Sequence, residues 1–412
     1  MEVVFLDNGL IGKGEHSYNL AAKLADALSR RNLRYRMFGV QALDQSIATE
    51  LGAIQHFQRS LYDGVDRSRG EKCLRSVAAI FQAGQASVPK RSEHKTWTAL
   101  NKTFEKDLGS LPSSIWNSDN LVIVPAISQN QIMGLIRYLL RQPQELLPRV
   151  VCQLMFPPNW TPWGQVSLYG EQFYRDAFRL AAPLIDRALF FTTENEAMAA
   201  LYRNGFGIET NILPIPFDGS PRIETREATV RLGFFGYSKC DKGFHLLPKA
   251  IELCQRKRLD AEFIVQIQHS GWEQRTIEAE LALRALKGVR LMEGVLTSAE
   301  YAAWTSQIDA MLLPYDPVTF GLRGSGIFTE SVAAGRPVVA SGGTFAGTSV
   351  ENNQAEGEVF APHTSEALAA AIGRLMPRLP ACKARAAERA QDFARSHSPG
   401  AYIEVLLAHA NT

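Results

Sequence analysis

The sequence has few cysteines, and none of them stand in a spacing that indicates a disulfide framework or a zinc site. Its five cysteines are scattered over 412 residues without a Cys-x-x-Cys pair, which is typical of proteins from a reducing compartment. Asp-x-Asp occurs nowhere in the chain, and the eight histidines show no ligand spacing. The sequence therefore predicts no metal site.

Charge of one sign and long apolar runs are also lacking. The chain carries 44 Lys and Arg against 42 Asp and Glu, which gives no global field for nucleic acid or an anionic membrane. Residues 150–170 are uncharged but contain three prolines, which is unfavourable for a membrane helix. A signal peptide requires basic residues before its apolar run, and none precede the first apolar run here. We therefore expect a cytoplasmic protein without nucleic-acid partners.

What the chain does contain is an alternation of short apolar runs and helical patterns. Val3–Leu6 predicts a buried strand, and a glycine loop and apolar residues at helical spacing follow it. The pattern restarts at Val230, after a polar stretch from residue 218 to 227 that predicts a linker. Further strands are predicted at 33–40, 121–124, 149–152, 188–191, 263–265, 289–291, 310–314 and 337–340.

This alternation predicts an α/β protein of two Rossmann-like domains, each a doubly wound parallel sheet, facing a central cleft. The length of 412 residues also favours two domains. We place the first at residues 1–217 and the second at 218–390. Residues 56–120 are less regular, with ten Lys or Arg against six Asp or Glu between 57 and 110, and predict a loop-and-helix region rather than a core strand.

Three loops follow predicted strands at the edge where parallel sheets bind ligands. The first contains Gly12, Gly14 and His16 and leads into a helix, whose N-terminus favours an anion. Ser17 occupies the third glycine position of a dinucleotide fingerprint, and no acid ends the second strand, which disfavours a nicotinamide cofactor. A loop that faces phosphate or sugar and a purely structural tight turn both stay open.

The second loop begins at Gly236 and Tyr237 and includes two lysines, Lys239 and Lys242. A lysine between a strand and a helix can bring a positive charge to a phosphate. The alternative is that both lysines are solvated loop charges.

The third loop runs from Tyr315 into a short helix that we expect to begin near Gly326 and to end near Gly335. Arg323 offers a forked donor for phosphate. Glu330, one turn into the helix, can accept hydrogen bonds from a diol such as a ribose, or can compensate the helix dipole. The backbone N–H groups that we expect to face a ligand are those of Gly324, Ser325, Gly326 and Ile327.

These motifs resemble those of the retaining glycosyltransferases of the GT-B fold, in the group 1 or family 4 type. In that group the second domain begins with the motif Gly-Arg-Leu-x-x-Glu-Lys-Gly. Residues 236–243 occupy the same position in this sequence, so the lysine of the family motif corresponds to Lys242. Its Glu-Gly-Phe-Gly motif is followed by a second glutamate, which corresponds to Glu330, and by a Gly-x-Pro-Val-Val ending at residues 335–339. Two positions depart from the family: Tyr237 replaces the arginine and Leu322 the first glutamate.

The resemblance implies a hexosyltransferase that uses a UDP- or GDP-linked sugar as co-substrate, retains the anomeric configuration, and needs neither a metal nor another cofactor. Lys242, Arg323 and Glu330 would be catalytic, with Arg323 compensating for the arginine missing at Tyr237. Substrate-binding roles fall to Gly12, Gly14, His16, Gly236, Tyr237, Gly324, Ser325, Gly326 and Ile327.

The resemblance also implies that the first domain takes the acceptor, which could be a glycan, a lipid-linked molecule or a small molecule. A C-terminal helical segment, residues 391–412, would pack back on that domain. The basic balance of residues 57–110 leaves open a weak peripheral membrane contact of the first domain.

Two other functions stay open. A nucleotide-sugar epimerase or a phosphorylase could use the same fold, and product analysis with and without an acceptor would separate them from a transferase. A catalytically silent GT-B-like binding module is favoured by the residues at Tyr237 and Leu322, whereas the retained Lys242, Arg323 and Glu330 argue against it.

Overall fold

A computed structural model describes residues 1–13, 16–63, 90–161, 166–217, 219, 229–269 and 273–408. The chain divides into two units, one formed by Met1–Leu213 with Ile403–Thr412 and the other by Pro214–Tyr402. The predicted linker, residues 218–227, begins shortly after this division, although residues 218 and 220–227 lie outside the described residues. No helix that the structure describes is long and apolar enough to cross a membrane.

The first unit is built on a seven-stranded sheet. Its strands are β1 (Val3–Leu6), β2 (Tyr35–Val40), β3 (Ala53–Phe57), β4 (Leu121–Val124), β5 (Arg149–Gln153), β6 (Leu189–Thr193) and β7 (Asn211–Ile212). They pair in the order β3-β2-β1-β4-β5-β6-β7, and every pairing is parallel. β1 and β4 are four buried apolar residues each, as expected of strands covered by helices on both faces.

The helices of this unit connect consecutive strands. They are α1 (His16–Arg30), α2 (Gln45–Leu51), α3 (Lys90–Gly109), α4 (Ile132–Leu140), α5 (Gly170–Ala181) and α6 (Glu196–Phe206). In α1 the buried residues recur at helical spacing, from Leu20 and Leu24 to Leu28, so one face packs on the sheet while the other carries the polar residues.

The second unit repeats the design with six strands. They are β8 (Val230–Phe234), β9 (Ala261–Ile267), β10 (Val289–Glu293), β11 (Ala310–Leu313), β12 (Val338–Ser341) and β13 (Gly357–Phe360). Their order is β10-β9-β8-β11-β12-β13, again with parallel pairings only. Its helices are α7 (Leu247–Arg256), α8 (Gln274–Ala285), α9 (Ser298–Thr305), α10 (Pro317–Phe320), α11 (Gly326–Ala333), α12 (Phe345–Glu351), α13 (Ser365–Leu375) and α14 (Leu379–Ser396).

Successive residues of the central strands pack into two separate cores. On β11, Ala310 and Leu312 belong to one buried cluster, and Met311 and Leu313 belong to the other. Because side chains alternate across a strand, the two clusters lie on opposite faces of the sheet. The predicted fold class, two doubly wound parallel α/β sheets, is thereby confirmed.

The strands that sequence patterns missed are β3, β7 and β13, which lie at or beside the sheet edges. β3 leaves Ile54 and Gln55 exposed, so it lacks the continuous apolar run of a central strand. In β13 a buried glutamate, Glu358, pairs with Arg374 and Arg378, and a charged residue in so short a run does not indicate a strand. Within residues 56–120, the structure describes the end of the edge strand β3 and the long helix α3, and residues 64–89 lie outside the described residues.

The C-terminal part of the chain is divided differently from the sequence boundaries. The boundary placed at residue 390 falls inside α14, which buries Leu379, Cys382 and Ala386 and is part of the second unit. The division lies instead within α15 (Pro399–Ala408), between Tyr402 and Ile403.

Candidate functional site

The second and third loops singled out from the sequence begin side by side in the second unit. They follow β8 and β11, which are neighbours in the sheet, with Leu232 opposite Ala310 and Gly233 opposite Met311. The strand order reverses between these two strands. In open parallel sheets, the crevice at the carboxyl ends of such a pair is the usual ligand site.

The two loops are fixed to each other through their backbones. The Asp316 N–H donates to the carbonyl oxygen of Asp241 at 2.8 Å. Gly243 has a φ of 72°, and a Cβ atom there would lie 1.7 Å from the carbonyl oxygen of Pro314. Only glycine accommodates both this left-handed conformation and this close approach, so Gly243 sets the spacing between the loops.

The ammonium of Lys242 lies close to Gly236, the first residue of the same loop. A Cβ atom on Gly236 would lie 3.2 Å from the Lys242 Nζ and 4.0 Å from Cγ1 of Ile327. Residues from both loops therefore meet at one point, and Gly236 keeps the space beside the ammonium open.

The ammonium of Lys242 lies in an unfavourable electrostatic environment. Burial lowers its pKa from the ordinary 10.5 to about 8; the Asp241 charge opposes this shift, and the positive charges of Lys239 and Arg323 reinforce it. Across the described ranges, this ammonium forms no hydrogen bond and no ion pair. A desolvated cation without such a partner is costly, and a bound anion would relieve that cost.

Gln266 positions the beginning of the β8 loop. This buried residue of β9 accepts a hydrogen bond from the Gly236 N–H at 2.9 Å and donates to the Gly294 carbonyl oxygen at 2.9 Å. Sequence analysis missed it, although a glutamine inside the apolar run Phe263–Ile267 was a signal that a polar partner is near.

The third loop ends in a capped helix N-terminus. Ser325 accepts from the Phe328 N–H at 3.3 Å, and Gly326 opens α11 as expected. The Arg323 guanidinium lies 4.8 Å from the centroid of the Phe320 ring. Gly324 and Ile327 lie on either side of this cap, with Ile327 next to Gly236.

Glu330 forms a part-buried hydrogen bond with a residue that was not predicted from the sequence. The Tyr301 hydroxyl of α9 donates to its Oε2 at 2.5 Å, and burial, together with the Glu330 charge, raises the pKa of that tyrosine. The buried Arg336 donates to the carbonyl oxygens of Thr305 and Ile308. No sequence pattern around Tyr301 pointed to this contact, which joins residues 29 positions apart.

Tyr237, at the family's arginine position, lies on the surface. It is 36% exposed, and the Lys239 ammonium lies 5.0 Å from its ring centroid. The two side chains thus contact each other, whereas the charge of Arg323 acts on Lys242 from the neighbouring loop.

The remaining candidates belong to the first unit. His16 is half-buried and is the first residue of α1, after the loop that follows β1. A Cβ atom on Gly12 would have no heavy atom within 4 Å, and Gly14 lies outside the described residues. Lys13 forms an ion pair with Glu50 at 2.8 Å. In the parts of the chain that the structure describes, no group of three or more His, Cys, Asp or Glu could hold a metal.

A family model matches part of the second unit. Residues 229–377 match the model of the family described as Glycosyl transferases group 1. No curated protein sequence matches the chain. The family match confirms, for residues 229–377, the resemblance drawn from the loops that contain Lys242 and Glu330.

The whole chain is similar in structure to solved proteins of this fold. The sucrose-phosphate synthase of Thermosynechococcus elongatus has a TM-score of 0.66 at 14% identity, covering 99% of this chain and 98% of that chain. A structure described as trehalose-6-phosphate from E. coli bound with UDP-2-fluoro glucose has a TM-score of 0.62 at 13% identity, covering 100% and 99%. The pneumococcal O-GlcNAc transferase in complex with UDP and GlcNAc has a TM-score of 0.60 at 12% identity, covering 100% and 98%.

Proposed function

Because residues 229–377 match the family described as Glycosyl transferases group 1, we propose that the protein transfers a hexose from a UDP- or GDP-linked sugar to an acceptor. The second unit binds the donor, and the first unit binds the acceptor. The transfer proceeds with retention of the anomeric configuration and without a metal ion.

The observation that carries the proposal is the Lys242 ammonium at the strand-order reversal. It is desolvated, it has no hydrogen bond or ion pair within the described residues, and Arg323 adds a second positive charge to its surroundings. A diphosphate at this point would receive charge-assisted hydrogen bonds from Lys242 and from Arg323. The bare backbone of Gly236 leaves room for the phosphate oxygens.

Glu330 gives the site a means of recognising the nucleoside. Its Oε2 is held by Tyr301, so the carboxylate has a fixed orientation from which it can accept hydrogen bonds from the ribose hydroxyls. The two chemical groups of a nucleoside diphosphate thus correspond to two parts of the site: cations for the diphosphate and a carboxylate for the diol.

These cations also account for the chemistry of transfer. The bond between the anomeric carbon and the diphosphate oxygen breaks, and its electron pair stays on the diphosphate. The acceptor hydroxyl oxygen bonds to the anomeric carbon, and the hydroxyl proton passes to the departing diphosphate. Lys242 and Arg323 stabilise the charge that develops on the leaving diphosphate, where fixed donors accelerate a reaction most. His16, in the first unit, acts on the acceptor side.

Titration calorimetry on the full chain with UDP, GDP and ADP tests the donor site. We expect at least one nucleotide to bind, with and without EDTA, and Lys242→Met to abolish that binding. Lys239→Met is the matched control, because this exposed lysine lies in the same loop and should be dispensable. Equal losses in both variants, or no binding of any nucleotide, would contradict the proposed donor site.

His16→Ala distinguishes the proposed roles of the two units. We expect it to lower the transfer rate while leaving nucleoside diphosphate affinity nearly unchanged, because the nucleotide binds in the other unit. Arg323→Ala should weaken diphosphate binding by about 1.5–3 kcal/mol, the range for a charge-assisted hydrogen bond. If both variants lose nucleotide affinity equally, His16 has been assigned to the wrong substrate.

Stereochemistry and metal dependence are tested on the product. Proton NMR of the transferred sugar should show the anomeric configuration of the donor, and EDTA should leave the rate unchanged. Inversion would contradict retention alone, and a rate restored only by divalent cations would contradict metal independence alone.

A further inference from the structure

The first unit contains a groove that the proposed donor site does not use. It lies among α3, α4 and α5 and encloses about 700 Å³, within the roughly 300–1,000 Å³ typical of ligand pockets. Its lining includes Lys95, Trp97 and Asn101 on α3, Met133 and Arg137 on α4, and Phe173 on α5.

Buried hydrogen bonds from Asn101 hold two of these helices together. Its side-chain oxygen accepts from the Gly134 N–H at 2.7 Å, and its amide donates to the carbonyl oxygens of Gln129 and Trp97. A Cβ atom on Gly134 would lie 2.3 Å from the Asn101 carbonyl oxygen, so α3 and α4 touch through their backbones. The spacing of these two walls is therefore fixed by the fold.

The third wall is anchored in the same way. The Ser167 hydroxyl, just before α5, donates to Glu93 on α3 at 2.7 Å, and both side chains are buried. Gln129 donates to the Pro158 carbonyl oxygen at 2.7 Å in the loop after β5. Because its supports are buried and satisfied, the groove is preformed, which lowers the entropic cost of binding a ligand.

The floor of the groove is aromatic and apolar. The Trp97 and Phe173 ring centroids lie 5.1 Å apart, and Met133 also lines the groove. The Trp97 indole N–H is buried and has no hydrogen-bond acceptor within the described residues. Two exposed aliphatic residues, Val166 and Leu168, 59% and 78% exposed, stand just before Tyr169.

The rim carries an excess of positive charge. Lys95 and Arg137 are exposed, and over the described residues neither forms a hydrogen bond or an ion pair. The carboxylate of Asp176 is already engaged by Gln172 at 3.0 Å and by Arg179 at 3.3 Å. An anion at the rim would thus meet two cations and a carboxylate whose charge is partly compensated.

We propose that this groove binds an amphipathic anion, a molecule with an apolar chain and one phosphate group. The apolar chain lies on the floor formed by Trp97, Met133 and Phe173, and the phosphate lies between Lys95 and Arg137. A bare saccharide fits poorly, because the Asn101 side chain is committed to the backbone and leaves the floor few groups for its hydroxyls. The proposal goes beyond sugar transfer and does not depend on it.

The test is titration calorimetry on the full chain with dodecyl phosphate below its micelle concentration. Dodecyl maltoside supplies the same chain without charge, and inorganic phosphate supplies the charge without the chain. We expect one dodecyl phosphate to bind per protein. Dodecyl maltoside and inorganic phosphate should each bind at least about tenfold more weakly, because chain burial and charge pairing both contribute.

The rim is tested with the double variant Lys95→Gln/Arg137→Gln. It should weaken dodecyl phosphate binding by about tenfold, in line with two partly exposed charge contacts. Lys102→Gln/Lys106→Gln, two exposed lysines on α3 outside the groove, is the matched control and should bind like the unmodified protein. All variants are checked for an unchanged melting temperature.

Three results would overturn the proposal. One is the absence of dodecyl phosphate binding, the second is equal binding of dodecyl maltoside, and the third is an equal loss in the rim and control variants. None of these measurements involves a nucleotide, so their outcome is independent of the donor-site experiments.

Discussion

Replacing Lys242 with methionine should make the protein more stable while it removes nucleotide binding. The ammonium is desolvated, has no ion pair within the described residues, and lies near the positive charges of Lys239 and Arg323. Methionine has a similar length and no charge, so it can occupy the same space beside Gly236 without the electrostatic cost.

The size of the effect follows from the pKa. A fall from 10.5 to about 8 corresponds to about 3.4 kcal/mol between the charged and neutral forms of the lysine. The Lys242 residue as a whole is half-buried, so water still screens part of the cost to its ammonium, and we expect about 1–2 kcal/mol of added stability at pH 7.

The pH dependence has a definite sign. Between pH 8 and 10.5 the unfolded chain binds a proton at this lysine that the folded chain does not, so the unmodified protein gains stability as the pH rises. The advantage of Lys242→Met is therefore full below about pH 8 and shrinks towards pH 10.5. Urea unfolding at pH 7 and pH 10, followed by fluorescence and circular dichroism, measures both values.

Lys239→Met is the control, because that exposed lysine shows no comparable burial and should change the stability by less than about 0.5 kcal/mol. A Lys242→Met protein that is less stable than the unmodified one at pH 7 would refute the desolvation argument. An advantage that does not shrink with pH would show that packing, not charge, is its cause.

Three further predictions concern the same unit. Nucleoside diphosphate affinity should fall as the pH rises above about 8, by up to about tenfold per pH unit, because Lys242 loses its proton; calorimetry from pH 7 to 9.5 would show a flat profile if this lysine does not bind the nucleotide. Tyr301→Phe should reduce the preference for ribose over dideoxyribose nucleotides by roughly fivefold, about 1 kcal/mol, because Glu330 loses its orienting hydroxyl; an unchanged preference would mean that Glu330 does not bind the diol. Gly243→Ala should destabilise by about 3 kcal/mol or more in urea unfolding, whereas Gly205→Ala, with open space around it in α6, should be neutral or stabilising; equal effects would contradict the argument from close approach.

The central strands could be predicted from the sequence because each is a continuous apolar run. Val3–Leu6 and Leu121–Val124 were predicted to the residue. The edge strand β13 could not be, because Glu358 occupies a buried position by pairing with two arginines from later in the chain. A charged residue in so short an apolar run predicts a loop, because its arginine partners are not evident from the local sequence.

The same limit applies to the candidate site. The loops containing Lys242 and Arg323 could be located from their glycines and their place after strands. That the two loops lie side by side depends on the pairing of β8 with β11, whose residues are more than seventy positions apart in sequence, and no local pattern encodes that pairing. Tyr301 was missed for the same reason, since only the fold brings it to Glu330.

The division within α15 has a consequence for how the protein is made. The first unit is completed by Ile403 and Leu406, which are buried, and by Glu404, whose carboxylate pairs with Arg31 at 2.7 Å. A ribosome reaches these residues only after translating all of Pro214–Tyr402, about 10–40 s later at typical synthesis rates. The first unit is therefore complete only after Ile403 and Leu406 have been synthesised. A stop codon just after Tyr402 would leave the second unit whole and would harm the unit that was synthesised first.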